Sequence, residues 1–403
     1  MNKTFKIVFN KVRGALMVAN EITTSAQKIS SHRKLAAIAT VATLLASPVF
    51  AGDVTRTDID KDLPISIEPG ISGYYNINVD TLSNNVKVGT TQVGIGSNAK
   101  DSLLDLKATG NSLTIVSRES SDSTTFSNRA AIYADNQSKV KLAGNQLYIE
   151  AAGGADKTIT GISAKSSSAI EITGTDNITV SAENIAPNPL KRASLFGINA
   201  NKSNVSVASD KTLDITVKNL AVDETAEAVH AQSSANVSLS GKDLIVGVET
   251  TDAHKALENR IKDIFGVNAK TKSKVSLTSE TLRMNLGNEA STIAVKAENT
   301  GTEVNIKANV VDISANAALI ATTNGKISLE TDSGKLNGRM SATNGGSIDI
   351  KGNKLNYIGR STGNVIEELN KTSMGKDLLK SSISLDVGSV DLSTEGSVQA
   401  TTA

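Results

Sequence analysis

The sequence contains no cysteine and no tryptophan, and only three histidines, five prolines, five tyrosines and six phenylalanines in 403 residues. Without cysteine there is no disulfide framework and no thiolate for a structural zinc site. The shortage of rings suits a narrow core filled by Ile, Val, Leu and Ala. One G-x-S-x-G string occurs, at Gly359–Gly363, and it is not read as a serine-hydrolase elbow, which needs a strand-to-helix turn. Long apolar runs are also missing. The longest, "LAAIATVATLL" at Leu35–Leu45, is interrupted by threonines and followed by Ser47-Pro48, and falls short of the about 20 residues that a bilayer-spanning helix needs.

That run has the marks of a cleaved export signal. Arg33 and Lys34 precede it, and "VFA" at Val49–Ala51 supplies a small-x-small cleavage site before Gly52. Cleavage is therefore expected between Ala51 and Gly52, with the Sec translocon and signal peptidase as partners during export. Cleavage removes seven of the 42 basic residues and one of the 41 acids and leaves a net charge of −5. A nucleic-acid partner loses its electrostatic basis, because phosphate binding needs concentrated positive charge.

Upstream lies a longer basic stretch. Lys3, Lys6, Lys11, Arg13 and Lys28 face a single acid, Glu21, with Phe5, Ile7, Val8, Phe9, Val12, Leu16, Met17, Val18 and Ile22 between them. Such an amphipathic segment can lie on an anionic membrane surface. "MNKTFKIVFNKVRGALMVANE" resembles the extended signal peptide region of type V secretion. The resemblance is carried by Asn2, Lys3, Phe5, Lys6, Ile7, Asn10, Arg13, Gly14, Val18 and Glu21, with Phe9 where that family usually has Trp. It implies slowed inner-membrane translocation and export through the periplasm to the cell surface or medium. The lack of cysteine fits a chain that crosses the outer membrane unfolded.

A repeat organises the remainder. It reads as an apolar residue, x, a small residue, a polar stretch, then two apolar residues two apart. Eight copies cover about 131–358, beginning with "AIYADNQSKVKLAGNQLYI" at Ala131–Ile149 and "GISAKSSSAIEITGTDNITV" at Gly161–Val180. Their leading residues are Ile132, Ile162, Ile198, Val229, Val267, Val295, Leu319 and Met340. In six copies the next anchor follows eight residues on, at Val140, Ile170, Val237, Val275, Ile327 and Ile348. "VKL", "IEI" and "VSV" alternate with the period of a half-buried strand, and "DNQSK" and "KSSS" are turn chemistry. Disorder would not place β-branched residues so regularly. One rung cannot bury its apolar face alone, but stacked rungs can, with Val140, Ile170, Val205, Val237 and Val275 in one interior column.

The expected fold is all-β, a right-handed parallel β-helix with short helical loop insertions. Asp252–Phe265 and Asn364–Lys380 are the two segments with helical spacing, expected to cover an apolar patch or cap an end. The domains follow as 1–34 for the extended signal region, 35–51 for the h-region and cleavage site, and 52–403 for the β-helix.

Chemistry is sparse. His230 occupies an x position and His254 lies in the first insertion, and both are read as solvated surface side chains with no zinc role. "TDIDKDLPISIE" at Thr57–Glu68 starts like a calcium loop through Asp58, Asp60 and Asp62 but has Leu63 where the turn needs Gly and Pro69 where the bidentate Glu belongs. It is read as a lead-in to the first strands. The G-D-S-G and G-D-S-L strings of enzymatic type V passengers are missing. The carboxylates Glu171, Asp214 and Asp349 form no aligned pair. Heptads of trimeric type V proteins are missing, and "APNPLKR" at Ala186–Arg192 is only superficially like the N-P-N motif of two-partner exoproteins. The sequence ends "DLSTEGSVQATTA", so the outer-membrane pore is expected outside this chain. The expectation is an exported, non-enzymatic, adhesin-like passenger without cofactor, binding a host or bacterial surface ligand. The alternatives are a β-helical carbohydrate-active enzyme and a two-partner exoprotein.

Overall fold

The computed structural model describes residues 5–10, 15–20, 53–59, 72–77, 81–83, 86–88, 91–118, 128–154, 157–185, 193–219, 225–250, 264–287, 291–359, 366–369 and 381–394. The chain divides into two units, Met1–Val49 and Phe50–Ala403. In the first, Phe5–Asn10 and Ala15–Asn20 pair antiparallel, with Phe5 against Asn20 and Asn10 against Ala15.

The second unit is a parallel β-helix. Each rung contributes a strand to each of three sheets, as in Asn128–Ala134, Lys139–Gly144 and Gln146–Gly153. Each pairs in parallel with its counterpart in the next rung, Lys157–Lys165, Ala169–Gly174 and Ile178–Asn184. From Asn236–Thr250 onward the second and third strands of a rung run together without a break. No helix occurs among the described residues.

The alternation of apolar residues becomes a set of interior columns. Val140, Ile170, Val205, Val237 and Val275 lie in one register, and none is more than 2 % exposed. The eight leading residues from Ile132 to Met340 form the column of the first sheet. Leu113, Leu147, Ile178, Leu213, Leu244, Leu282 and Val311 form that of the third. Burial of each Val, Leu or Ile is favourable by about 1.5–3 kcal/mol. Every rung therefore depends on its neighbours for most of its stability.

The ladder extends past the repeat at both ends. Thr91–Ser97, Leu103–Ala108 and Ser112–Arg118 form a rung before it. Ile366–Leu369 and Ser382–Thr394 continue it. Part of the helical reading is thereby corrected. Ile264 and Phe265 open the strand Ile264–Lys270 and are buried, and Ile366–Leu369 pairs with Met340–Thr343. Both are drawn into strand because the neighbouring rung offers a complete row of backbone partners. The rest of both insertions lies outside the described residues.

Two devices shape the rung. In the first sheet the pairing skips one residue per rung, at Gly94, Ala131, Gly161, Gly197, Ala228, Gly266 and Ala294. A Cβ on Gly197 would lie 2.5 Å from the Ala228 carbonyl and 2.6 Å from Ile215 Cγ2, so the skipped residue has to be small. At the corner leading to the second sheet, two successive residues adopt positive φ, as in Asn136 (53°) and Gln137 (64°), or Ser166 (51°) and Ser167 (64°). Left-handed residues cost about 1–2 kcal/mol each. The cost is offset by backbone bonds to the next corner, such as Gln137 N–H to the Ser166 carbonyl at 3.0 Å. A buried serine follows and donates to the carbonyl at the end of the preceding rung's first strand. Ser138 donates to Ser97, Ser168 to Ala134, Ser203 to Ala164 and Ser273 to Ala231, at 2.8–3.0 Å.

Candidate functional surface

Outward columns of the second sheet are polar and open to solvent. One runs Glu171, Ser206, Ser238, Ser276, Asn305, Ser328 and Asp349. Glu171 and Asp349 share that column but stand six rungs apart, about 29 Å at the strand spacing of ~4.8 Å. Asp214 lies in the third sheet and accepts a bond from Thr216 Oγ1 at 2.5 Å. The three carboxylates are not brought together. Exposed ion pairs link adjacent rungs, among them Arg118–Glu150 at 2.6 Å and Lys307–Glu330 at 2.8 Å. Burial pushes the Asp105 carboxyl above its ordinary value, opposed by the charge of Lys141 and assisted by that of Glu171.

The first sheet differs, because much of its outward face is also buried. Tyr133, Ser163, His230 and Asn268 occupy the x position and are 5, 4, 8 and 0 % exposed. The reading of His230 as a solvated side chain is corrected. It does face away from the core, as alternation requires, but that face is covered. Phe196, Phe265 and Ile293, three residues before an x position in their own rungs, were the available signal, since apolar side chains there imply cover. The skipped residue Ala228 also has a chemical consequence. It brings Glu227 and His230, which plain alternation would put on opposite faces, to the same side. His230 Nδ1 lies 2.5 Å from Glu227 Oε2, and the Phe196 ring meets the imidazole edge-on at 5.4 Å between centroids. Asn199 and Asn268 flank His230 in the column.

This is an acid–imidazole pair, and the hydroxyl of its own column, Ser163, does not come near it. Ser163 is two rungs from His230, about 9.6 Å away, whereas base and hydroxyl must approach to about 3 Å. Among the described residues no three His, Asp or Glu converge as a metal site would require. A second buried polar group lies inside the core, where Arg129 donates to Gln92 Oε1 at 2.6 Å and to Ser117 Oγ at 3.2 Å. An open groove of about 300 Å³ follows the corner between the second and third sheets, past Lys107, Ala143, Gly144, Thr173 and Asp210. Ala51, Gly52, His254 and the segment from Asp60 to Glu68 lie outside the described residues, while Asp58 sits in the strand Asp53–Ile59.

The family model for the extended signal peptide of the type V secretion system matches residues 1–50. The first 50 residues thus carry the extended signal peptide of type V secretion. That signal directs export through Sec and an outer-membrane component to the cell surface or medium. Searches of curated proteins and of solved structures found no match. Among the described residues no helix is long and apolar enough to cross a membrane.

Proposed function

We propose that this type V passenger is a non-enzymatic, adhesin-like protein that binds a host or bacterial surface ligand along its ladder. The observation that supports this is the outward column from Glu171 to Asp349, with five hydroxyl or amide side chains between two carboxylates at a regular spacing. A row of hydrogen-bonding groups repeating about every 4.8 Å suits an extended ligand such as a glycan chain or a stretched peptide, which meets several rungs at once. Beads coated with the exported chain should adhere to cultured cells or to other bacteria. Replacing Ser238 and Asn305 by Lys should reduce adhesion at least fivefold with an unchanged far-UV spectrum. Retained adhesion would move the binding face elsewhere. Release of new reducing ends from a glycan panel, abolished by Glu227→Gln, would replace this reading with the carbohydrate-active one.

A further inference from the structure

The two corners that flank the second sheet carry opposite charge. The corner that leads into it, between the end of each first-sheet strand and the start of the following strand, holds eight lysines and four acids among the described residues. The corner that leads out of it has the reverse balance, with Asp176, Asp210, Asp243, Glu280 and Asp332 against Lys211, Lys242 and Lys354. Pairing widens the difference. At the first corner Glu303 is held by Lys274 at 3.3 Å and Glu298 by Lys296 at 3.0 Å, while Asp135 accepts bonds from Tyr133 and the Asn136 N–H and has the charge of Lys165 nearby. The remaining lysines, Lys100, Lys139, Lys202, Lys270, Lys272 and Lys326, make no ion pair among the described residues, and Asp101 is the one other acid. At the second corner all three lysines are paired, Lys211 with Asp176, Lys242 with Glu280 and Lys354 with Asp391.

The ladder strings the six lysines into a line. Lys139 and Lys326 share one register column six rungs apart, and Lys100 lies one rung before Lys139. The line is about 34 Å long at ~4.8 Å per rung. Between the cations the corner presents exposed hydroxyl and amide side chains, Asn136, Gln137, Ser166, Ser167, Ser233 and Ser234. It carries no aromatic residue. An anionic chain laid on this ridge lies within the screening length of about 8 Å at physiological salt, so it meets the lysines and not the net charge of −5 of the mature chain.

We propose that this corner is a binding ridge for an unbranched sulfated glycan chain lying along the ladder axis. Such a chain repeats anionic groups on successive sugars, which the lysines meet as point charges, and offers ring hydroxyls to the amide and hydroxyl side chains between them. A single-stranded nucleic acid would find no ring on which to stack its bases. A duplex is read by a helix or ribbon that enters its groove, which a row of tight corners does not supply. The ridge goes beyond the adhesive reading, since it is a corner of the ladder and not the face of the second sheet, and it stands whether or not that face binds.

The probe is a fluorescein-labelled heparin chain, and its anisotropy is read with the exported chain purified from a Gram-negative host. Saturable binding is expected, lost by about 0.5 M NaCl as screening shortens the reach of the lysines. Lys139→Gln/Lys202→Gln/Lys272→Gln should weaken it at least tenfold. Because these lysines are unpaired and point to solvent, the variant should keep its far-UV spectrum. Lys211→Gln/Lys242→Gln/Lys354→Gln removes the same charge from the other corner and should leave binding within twofold of wild type. Desulfated heparin should not bind. No saturable binding, equal loss in the two triple variants, or equal binding of the desulfated chain would overturn the proposal. Duplex or single-stranded DNA that binds as tightly as heparin would overturn it in favour of a nucleic-acid ridge.

Discussion

Ala235 occupies the corner position held by serine in neighbouring rungs, between Ser203 and Ser273, and is fully buried. By analogy with the bonds those serines make, its missing partner is the Ala200 carbonyl. Ala235→Ser should therefore stabilise the chain by about 0.5–1 kcal/mol, the usual net value of a hydrogen bond, visible as a higher urea midpoint at unchanged slope. Ser168→Ala, which removes the bond to Ala134, should shift the midpoint by a similar amount in the opposite direction. Arg129 presents the reverse case, a guanidinium only 2 % exposed in an otherwise apolar interior. Gln92→Ala removes its 2.6 Å acceptor and should cost about 2–3 kcal/mol, as hydrogen bonds to charged groups do. The double change Gln92→Leu/Arg129→Met should recover most of that loss, because apolar side chains of similar volume replace a desolvated charge well. Urea unfolding of the two variants against wild type distinguishes the outcomes.

At the scale of the strand and corner, the skipped residue and the left-handed pair set the path of the rung. Gly197→Ala should cost about 1–3 kcal/mol by overpacking against Ala228 and Ile215, although Ala131 and Ala228 carry that methyl group in their own rungs. The corner at Asp135 is sensitive to pH. Burial alone would raise its carboxyl, but bonds from Ser166, Tyr133 and the Asn136 N–H, with the charge of Lys165, outweigh burial and hold it below its ordinary value. The ionised form is the one the fold favours. Its contribution is present above about pH 4, the unfolded carboxylate range, and is lost as pH falls through the lower folded value. The Tm gap between wild type and Asp135→Asn should accordingly narrow between pH 6 and pH 3. A gap that widens on acidification would show that Asp135 is not held ionised.

The same geometry explains what was legible beforehand. Ile132 to Val140 and Ile170 to Val205 were readable because apolar alternation is a direct image of an interior column. The rung at Thr91–Arg118 was not, since its corner holds one more residue and Leu104 lies nine positions after Ile95. Ile366 and Ile383 are seventeen apart and escaped for the same reason. Cover over the outward face of the first sheet is a tertiary property that alternation cannot encode, so the burial of His230 and its pairing with Glu227 had to come from the structure. The serine bonds hid within a turn composition in which any small polar residue looks alike.

At the scale of the whole ladder, within Phe50–Ala403, stability is distributed along one axis. Each rung gains from two neighbours, except at the ends, where it gains from one. In the first sheet Val86–Val88 closes the outer edge of Thr91–Ser97, while Ser382–Thr394 exposes Leu385, Val390 and Leu392. Opening free energies should therefore be lower in Ser382–Thr394 than in Thr91–Ser97 and the central rungs. Amide hydrogen exchange is the measurement, because protection reports local opening. The slowest amides should lie in the central rungs, in Ala193–Asn201, Asn204–Ser209 and Lys274–Asn285. Those of Ser382–Thr394 should exchange at least a hundredfold faster, since Leu385, Val390 and Leu392 are exposed and few buried contacts oppose local opening. Thr91–Ser97 should stay closer to the centre, held on both edges. Equal protection of Ser382–Thr394 and the central rungs would show that the exposure of Leu385, Val390 and Leu392 does not lower the local stability of that strand.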